Sequence, residues 1–314
     1  MVLFILLAGV VVDAQQPQLT NSKLLEGSAN AGLQPAVADL LKADAGPAWM
    51  AYSIPSIPGE HHLCCFNGHV SDNNYCCGTC RLEKHGESTF MGKTSGDCKA
   101  TLASTVVLFL RFEHGQIDQV RSFSPECQID AGGKNVYWLT DVQPAQSVAY
   151  LESLLSQSPR RSELDSVVSA IAFHNDPSAD AALEKLIKPA QDTEARGQAA
   201  FWIGLTRGSH GLDVLLSSMK SDQNHDFLEK AVFAISQSTE RDRADNELIR
   251  LARQDTRPIV REQAIFWLAQ EAGKKAAGTI TDSIENDPDT DVKKKAVFAL
   301  SEMPPEEGIP LLID

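Results

Sequence analysis

Cysteine is missing from the last 187 residues of this 314-residue chain, because all seven cysteines lie between Cys64 and Cys127. Basic residues are scarce, with 28 Lys and Arg against 42 Asp and Glu, which gives a formal net charge of −14. This shortage excludes a dedicated nucleic-acid-binding protein, because neutralising phosphates needs clustered Lys and Arg. Beyond residue 12, no apolar run approaches the roughly 20 residues that a membrane-spanning helix needs.

The chain begins with an apolar run of eleven residues, Val2 to Val12. Such a run is too short to cross a bilayer, and Ala14 follows at a position typical of signal-peptide cleavage. The alternative, a buried strand or core helix, fits less well because a polar segment follows at once. We therefore predict a signal peptide over residues 1–14 and an exported protein, periplasmic or extracellular, with no membrane contact after cleavage.

Two apolar columns recur every 32 or 33 residues in the second half of the chain. The aromatic column contains Phe201, Phe233, Phe266 and Phe298. The aliphatic column contains Leu151, Leu183, Leu215, Leu248, Ile280 and Leu312. Both columns place their one extra residue between positions 233 and 248, where the sequence is polar. An insertion in a polar turn keeps each apolar face in register, whereas a slip inside a helix would rotate that face by about 100°.

Each repeat contains two helical segments, and a lone helix pair of this length cannot bury its apolar face. We therefore predict an all-α solenoid of about five helix pairs over residues 143–314, with both columns in its core. The aromatic column could instead line a cofactor groove, but helical repeats use such rings mainly as core. The sequence ends at Asp314 inside a helical segment, which favours a truncated carboxyl terminus or an apolar end that docks on a partner.

The repeats resemble the HEAT-repeat family, in particular the bacterial PBS-lyase HEAT-like repeats. The resemblance covers about 143–314 and rests on the period and on an acidic, basic and alanine pattern in the first helix. That pattern is carried by Asp192, Arg196, Ala199, Val260, Arg261, Ala264, Asp289, Val292 and Ala296. Three positions depart from it, namely Asn224, Leu228 and Arg257. The resemblance implies a solenoid that binds a partner protein, and it adds bilin-lyase activity as a remote alternative.

The amino-terminal half has a different pattern. The segments 104–112 and 116–123 are rich in β-branched and aromatic residues, and the turn Glu113-His114-Gly115 between them predicts a β-hairpin. Further strands are predicted at 49–54 and 136–139, with a turn at Gly132 and Gly133. We expect residues 15–47 to form a leader with a short helix at 34–42, and residues 48–142 to form a small Cys-rich, β-containing domain. The predicted fold class is therefore α+β overall.

The densest chemical feature of the chain is a cluster of cysteine and histidine. The disulfide candidates are Cys64, Cys65, Cys76, Cys77, Cys80, Cys98 and Cys127. An exported, loop-rich domain gains stability from such bonds, and the odd number leaves at least one cysteine outside an intramolecular pair. Alternatively, His61, Cys64, Cys77 and Cys80 match the spacing of a structural zinc site. The Cys77–Cys80 pair also has the spacing of a thiol-redox motif, although no βαβ context surrounds it.

No catalytic motif is evident, so we predict a non-enzymatic protein–protein interaction scaffold without a cofactor. The alternative is a zinc-binding or thiol-redox module that the repeats present. Residues 143–314 contain 19 basic and 28 acidic side chains, which favours a partner with a basic surface. His174, His210 and His225 lie in or beside predicted turns, and we expect them to be exposed.

Overall fold

The chain is a mixed α and β protein with two compact units. The computed structural model describes residues 16–58, 63–66, 77–78, 80–83, 89–91, 104–157, 161–271 and 275–313. The contacts divide the chain between Ala179 and Asp180. Across the described ranges there are twelve helices, and none is long and apolar enough to cross a bilayer.

The strands of the first unit form three sheets. Their bounds are β1 (Gln18–Thr20), β2 (Lys23–Ser28), β3 (Ala48–Pro55), β4 (Leu63–Phe66), β5 (Cys77–Gly78), β6 (Cys80–Arg81), β7 (Thr89–Met91), β8 (Thr105–Glu113), β9 (Gln116–Phe123), β10 (Gln128–Asp130) and β11 (Asn135–Thr140). The largest sheet has the order β2-β11-β3-β8-β9, in which β11 pairs in parallel with both β2 and β3. The other two have the orders β1-β10-β6 and β5-β4-β7.

The predicted hairpin is confirmed, since β8 and β9 pair antiparallel. The turn between them places His114 at φ 54° and Gly115 at φ 76°. Positive φ at both central residues is the geometry that matches the twist of the flanking strands. The strands predicted at 49–54 and 136–139 are confirmed as β3 and β11, and the predicted short helix is α1 (Leu33–Ala43).

The prediction of a leader over residues 15–47 is wrong for most of that segment. Strand β2 forms an edge of the five-stranded sheet, and β1 pairs with β10. Sequence inspection missed these strands because both are short and lie at sheet edges, where alternate residues stay exposed. Their partners β10 and β11 lie more than 100 residues later, and no local pattern identifies such a pairing.

The core of the first unit is an aromatic and aliphatic cluster between the sheets. Trp49, Phe109, Phe123 and Trp138 are its large side chains, each at most 1 % exposed. Phe109 packs edge-on against both Trp49 and Phe123, at 6.4 and 5.6 Å between ring centroids. Such pairs add about 0.5–1.5 kcal/mol each beyond the burial of apolar area. The sheet is therefore stabilised by an apolar core of its own.

Eleven helices follow the sheets along the described part of the chain. Their bounds are α2 (Pro144–Leu155), α3 (Arg161–Ala172), α4 (Pro177–Leu186), α5 (Thr193–Thr206), α6 (Gly208–Met219), α7 (His225–Ser236), α8 (Arg241–Gln254), α9 (Pro258–Glu271), α10 (Ala277–Asn286), α11 (Thr290–Glu302) and α12 (Pro305–Ile313). The contacts assign α2 and α3 to the first unit, where α3 packs on β9. The predicted boundary after residue 142 separates sheet from repeat pattern and stays a prediction.

In the second unit, α5, α7, α9 and α11 pack side by side in one layer. A Cβ on Gly204 of α5 would lie 2.2 Å from the carbonyl oxygen of Ala234 on α7, so glycine permits the close approach of these helices. The helices α6, α8, α10 and α12 each pack against their neighbours in that layer. This paired arrangement is consistent with the predicted solenoid.

Asp side chains in the turns before α7, α9 and α11 join successive repeats. Asp222, Asp255 and Asp287 each accept a hydrogen bond from the backbone N–H two residues later. Asp222 also binds Arg196 of α5, and Asp287 binds Arg261 of α9 through two bonds of 2.8 Å. Burial raises the pKa of Asp287, but the bonds and charge of Arg261, with the backbone N–H of Asp289, lower it overall.

Two departures from the family pattern compensate each other. Leu228 occupies the position of Arg196 one repeat later, so no arginine from that position reaches Asp255. Arg257 binds Asp255 instead, and it also donates to the carbonyl of Met219 at 2.6 Å. Met219 is the register equivalent of Ile187, whose carbonyl Arg196 binds at 3.1 Å. Arg257 therefore reaches the same two kinds of acceptor from the opposite direction.

We expect Arg257→Ala to lower the free energy of unfolding of the second unit by about 1–2 kcal/mol, since this arginine is partly exposed and its charged bonds are partly screened. Leu228→Arg should destabilise the wild type, because it buries a second cation beside Asp255. In the Arg257→Ala background, the same change should be stabilising. A double-mutant cycle measured by urea unfolding tests this reversal of sign, and a Leu228→Arg effect of the same sign in both backgrounds would contradict it.

Candidate functional site

The cysteine and histidine cluster lies only in part within the described residues. His61, Cys76 and Cys98 lie outside them, as do residues 1–14, and the backbone alone is described for Cys64, Cys65 and Cys77. Pairing of β4 with β5 sets Cys65 opposite Gly78 and Phe66 opposite Cys77. The fold therefore brings the segment around Cys64 next to the segment around Cys77, as both the disulfide and the zinc predictions require.

Cys80 and Cys127 are both buried in the core and both disulfide-bonded. A sulfur atom in a disulfide is not available as the thiolate that zinc needs. The predicted zinc set of His61, Cys64, Cys77 and Cys80 therefore applies only to a chain in which Cys80 is reduced, and it stays a prediction. Among the described residues, no group of three or more His, Cys, Asp or Glu side chains is placed to hold a metal ion.

A buried hydrogen-bonded chain links the sheet to α2 and to the segment after α3. Ser147 Oγ lies 2.9 Å from both the Tyr52 hydroxyl and His174 Nε2. His174 Nδ1 lies 2.8 Å from the carbonyl of Ala170, which can only accept, so Nδ1 carries the proton. Burial raises the pKa of Tyr52. His174 is 1 % exposed, so the prediction of an exposed side chain is wrong there.

The Tyr52–Ser147–His174 chain has the residue types of a hydrolytic site but not the access. All three side chains are at most 1 % exposed, so no substrate reaches the serine hydroxyl. Backbone hydrogen bonds from Ile57 to Phe173 and from Asn175 to Pro55, each 3.0 Å, close the same junction. The chain is therefore a structural connection within the first unit.

A shallow pocket in the second unit is lined by polar side chains that bind one another. Arg207 pairs with Asp180, and His210 lies 3.0 Å from Glu184. His210 is exposed, as predicted. Because these charges are already paired, the pocket offers little chemistry to a ligand.

The aromatic column forms a continuous ladder of six rings across α5, α7, α9 and α11. Its members are Trp202, Phe201, Phe233, Trp267, Phe266 and Phe298. Phe201 stacks on Phe233 at 5.8 Å between ring centroids, and Phe266 stacks on Phe298 at 6.3 Å. Trp267 joins the two halves, at 4.6 Å from Phe233 and 5.0 Å from Phe266. We call these six side chains the aromatic ladder.

The aromatic ladder is not core, which corrects the prediction for Phe201, Phe233, Phe266 and Phe298. The first three rings are partly exposed, and Phe298 is 48 % exposed. The aliphatic column is buried as predicted at Leu151, Leu183, Leu215, Leu248 and Ile280, but Leu312 is 42 % exposed. Small neighbours such as Ala199, Ala231, Ala264 and Ala296 fill the helix interfaces instead. A row of partly exposed rings marks a surface where another molecule can bind.

Two carboxylates lie on the ladder's own face of the helices. Glu229 and Glu262 precede Phe233 and Phe266 by four residues, a spacing that puts each on the same side of its helix as the ring. Within the described residues, neither carboxylate has a hydrogen bond or salt bridge. Burial and the charges of Asp289, Asp291 and Glu229 raise the pKa of Glu262, with Lys295 opposing them. A cation bound here would relieve that repulsion.

One part of the ladder already holds a cation. The ammonium of Lys295 lies 4.6 Å from the ring centroid of Phe266 and 5.4 Å from that of Phe298. The register equivalent of Lys295 on α7 is Lys230, which instead forms a salt bridge with Glu194. A Cβ on Gly197 would overlap Lys230, so the absence of a side chain there lets Lys230 reach Glu194.

The sequence held a signal for this surface that column analysis alone did not reveal. Glutamate four residues before the ring occurs in two successive repeats, at positions 229 and 262, whereas buried helix faces rarely carry such residues. The rings alone could not distinguish core from surface, because both are apolar. Their burial depends on how closely the neighbouring helices pack.

Comparison with known proteins gives one partial similarity. No family model matches the chain, and no curated protein matches it. Among solved structures, the chain is similar to a protein in the complex of CpcE and CpcF of phycocyanin lyase from Nostoc sp. PCC7120. The two are 16 % identical, and the similarity covers 42 % of this chain and 94 % of the other, with a TM-score of 0.30. Similarity at this level carries no argument about function.

Proposed function

We propose that the chain is a protein-binding scaffold whose second unit is a HEAT-like solenoid and whose aromatic ladder is the docking surface for a partner protein. The observation that carries this proposal is the continuity of the ladder. Six rings on four helices line one face, and Phe298 leaves nearly half of its surface exposed. Aromatic side chains contribute most to the centres of protein–protein interfaces, because they bury large areas with few rotatable bonds.

The repeat register supports the same function. Rings that recur at the same position of successive helices form an extended surface, as repeat proteins use for binding elongated partners. We also propose that the protein is exported, and the disulfides at Cys80 and Cys127 fit an oxidising compartment. In this proposal the first unit is a crosslinked domain that accompanies the binding surface and has no catalytic role.

We expect a photo-reactive phenylalanine analogue at position 298 to crosslink the partner in extracts of the native source. The matched control places the same analogue at Glu285, which is exposed on α10 outside the ladder. A protein captured at position 298 and absent at position 285, identified by mass spectrometry, supports the docking surface. Capture of the same proteins at both positions, or of none at position 298, would overturn it.

A further inference from the structure

We propose that the docking surface recognises an arginine side chain of its partner, whose guanidinium lies over Phe233 and Trp267 and pairs with Glu229 and Glu262. This inference rests on the proposed function and names the chemistry of the partner: an extended segment that carries arginine. Two independent features of the ladder support it, namely its uncompensated carboxylates and its internal cation.

The internal cation shows what the rings accept. Lys295 places its ammonium between Phe266 and Phe298, on the α11 side of the ladder. The corresponding lysine of α7, Lys230, is drawn to Glu194 and lies 35 % exposed away from this position. In the described part of the chain, no cation lies over Phe233 or Trp267. The same arrangement of rings is therefore filled from within at one end and open at the other.

Charge complementarity selects a cation for the open end. Glu229 and Glu262 interact with each other through their charges, and the pKa of Glu262 is raised by this repulsion together with burial and Asp289 and Asp291. A positively charged side chain between them would reverse an unfavourable interaction and meet ring faces at once. Cations over the face of tryptophan form the strongest contacts of this type.

Arginine fits this arrangement better than lysine does. Its guanidinium is planar, stacks on aromatic rings and can pair with two carboxylates in its own plane. An extended peptide advances about 3.3 Å per residue, so every third residue matches the spacing of about 10 Å between neighbouring helices. One segment could therefore place apolar side chains on the remaining rings while its arginine occupies the open end.

The test uses acetylated octapeptides in which leucine alternates with arginine, lysine or glutamine, bound to the full-length protein and measured by calorimetry. We expect the arginine peptide to bind about tenfold more tightly than the glutamine peptide, with lysine between them. Glu229→Gln with Glu262→Gln should abolish most of this preference and leave binding of the glutamine peptide unchanged. The control, Asp282→Asn with Glu285→Gln, removes the same charge from α10 and should leave the preference intact.

Each outcome separates the two proposals. Equal binding of the three peptides, or an arginine preference that survives Glu229→Gln with Glu262→Gln, would overturn the arginine proposal. If Phe233→Leu then weakens binding of every peptide, the docking surface stands without it. If Phe233→Leu has no effect, or if no peptide binds at about 1 mM, both the arginine proposal and the ladder as its surface fail. Hydrogen exchange of α7 confirms that each variant is folded.

Discussion

Asp222→Asn should lower the free energy of opening of α5 to α8 by about 3–5 kcal/mol, the largest effect that we expect in the second unit. Asp222 and Arg196 are only 4 % and 3 % exposed, and they bind each other in the turn between repeats. The asparagine keeps the shape and the backbone contact to Asn224, but it leaves the guanidinium of Arg196 buried without its counter-charge. Native-state hydrogen exchange, read by mass spectrometry, resolves this opening from that of the first unit.

The matched control is Asp213→Asn, which removes an aspartate of the same type from an exposed pair. Asp213 is 65 % exposed and binds Arg243 on the outer helices α6 and α8. Solvent screens such pairs, so we expect at most about 1 kcal/mol. Adding Arg196→Met to Asp222→Asn should recover part of the loss, because no buried charge is then left. Equal losses for Asp222→Asn and Asp213→Asn would show that the buried pair does not stabilise the repeats.

Ser147→Ala should destabilise the first unit by about 3 kcal/mol, because one hydroxyl serves two buried partners. Its removal deletes the bonds to both the Tyr52 hydroxyl and His174 Nε2, in a place that water does not reach. A buried polar group that loses its partner costs about 1–3 kcal/mol. Hydrogen exchange of β3 and α2 measures the effect, with the second unit as an internal reference.

Tyr52→Phe provides the comparison for that prediction. It removes the phenol hydroxyl itself and leaves the bond between Ser147 and His174 in place, so we expect a loss of only about 1 kcal/mol. A loss for Tyr52→Phe as large as that for Ser147→Ala would mean that the bond between Ser147 and His174 contributes little. The second unit should exchange at the wild-type rate in both variants.

The fold was predictable where the pattern is local. The β8–β9 hairpin followed from its turn residues, and the repeat helices followed from two columns of 32 or 33 residues. Edge strands β1 and β2 were missed, because their partners are distant along the chain. His174 was predicted in a turn, which is correct, but its burial depends on Tyr52 and Ser147, which no spacing connects to it.

The candidate site was predictable by residue but not by exposure. The sequence identified the rings of the ladder and assigned them to the core, because a periodic aromatic residue is compatible with either environment. The structure shows that alanines occupy the helix interfaces and that the rings extend over their edge. The departures at Leu228 and Arg257 likewise look like two independent losses in the sequence, yet in the structure Arg257 supplies the contacts that Leu228 cannot make.

The sequence by itself determined the repeat period, the positions of the helices and strands with local signals, and the confinement of cysteine to one half of the chain. These depend on neighbours within a few residues or on exact recurrence. The tertiary structure alone decided which recurring residues are buried, which acidic groups have a counter-ion and where an aromatic surface lies open. Those properties depend on the distance between helices, which is set by the packing of side chains far apart in the sequence.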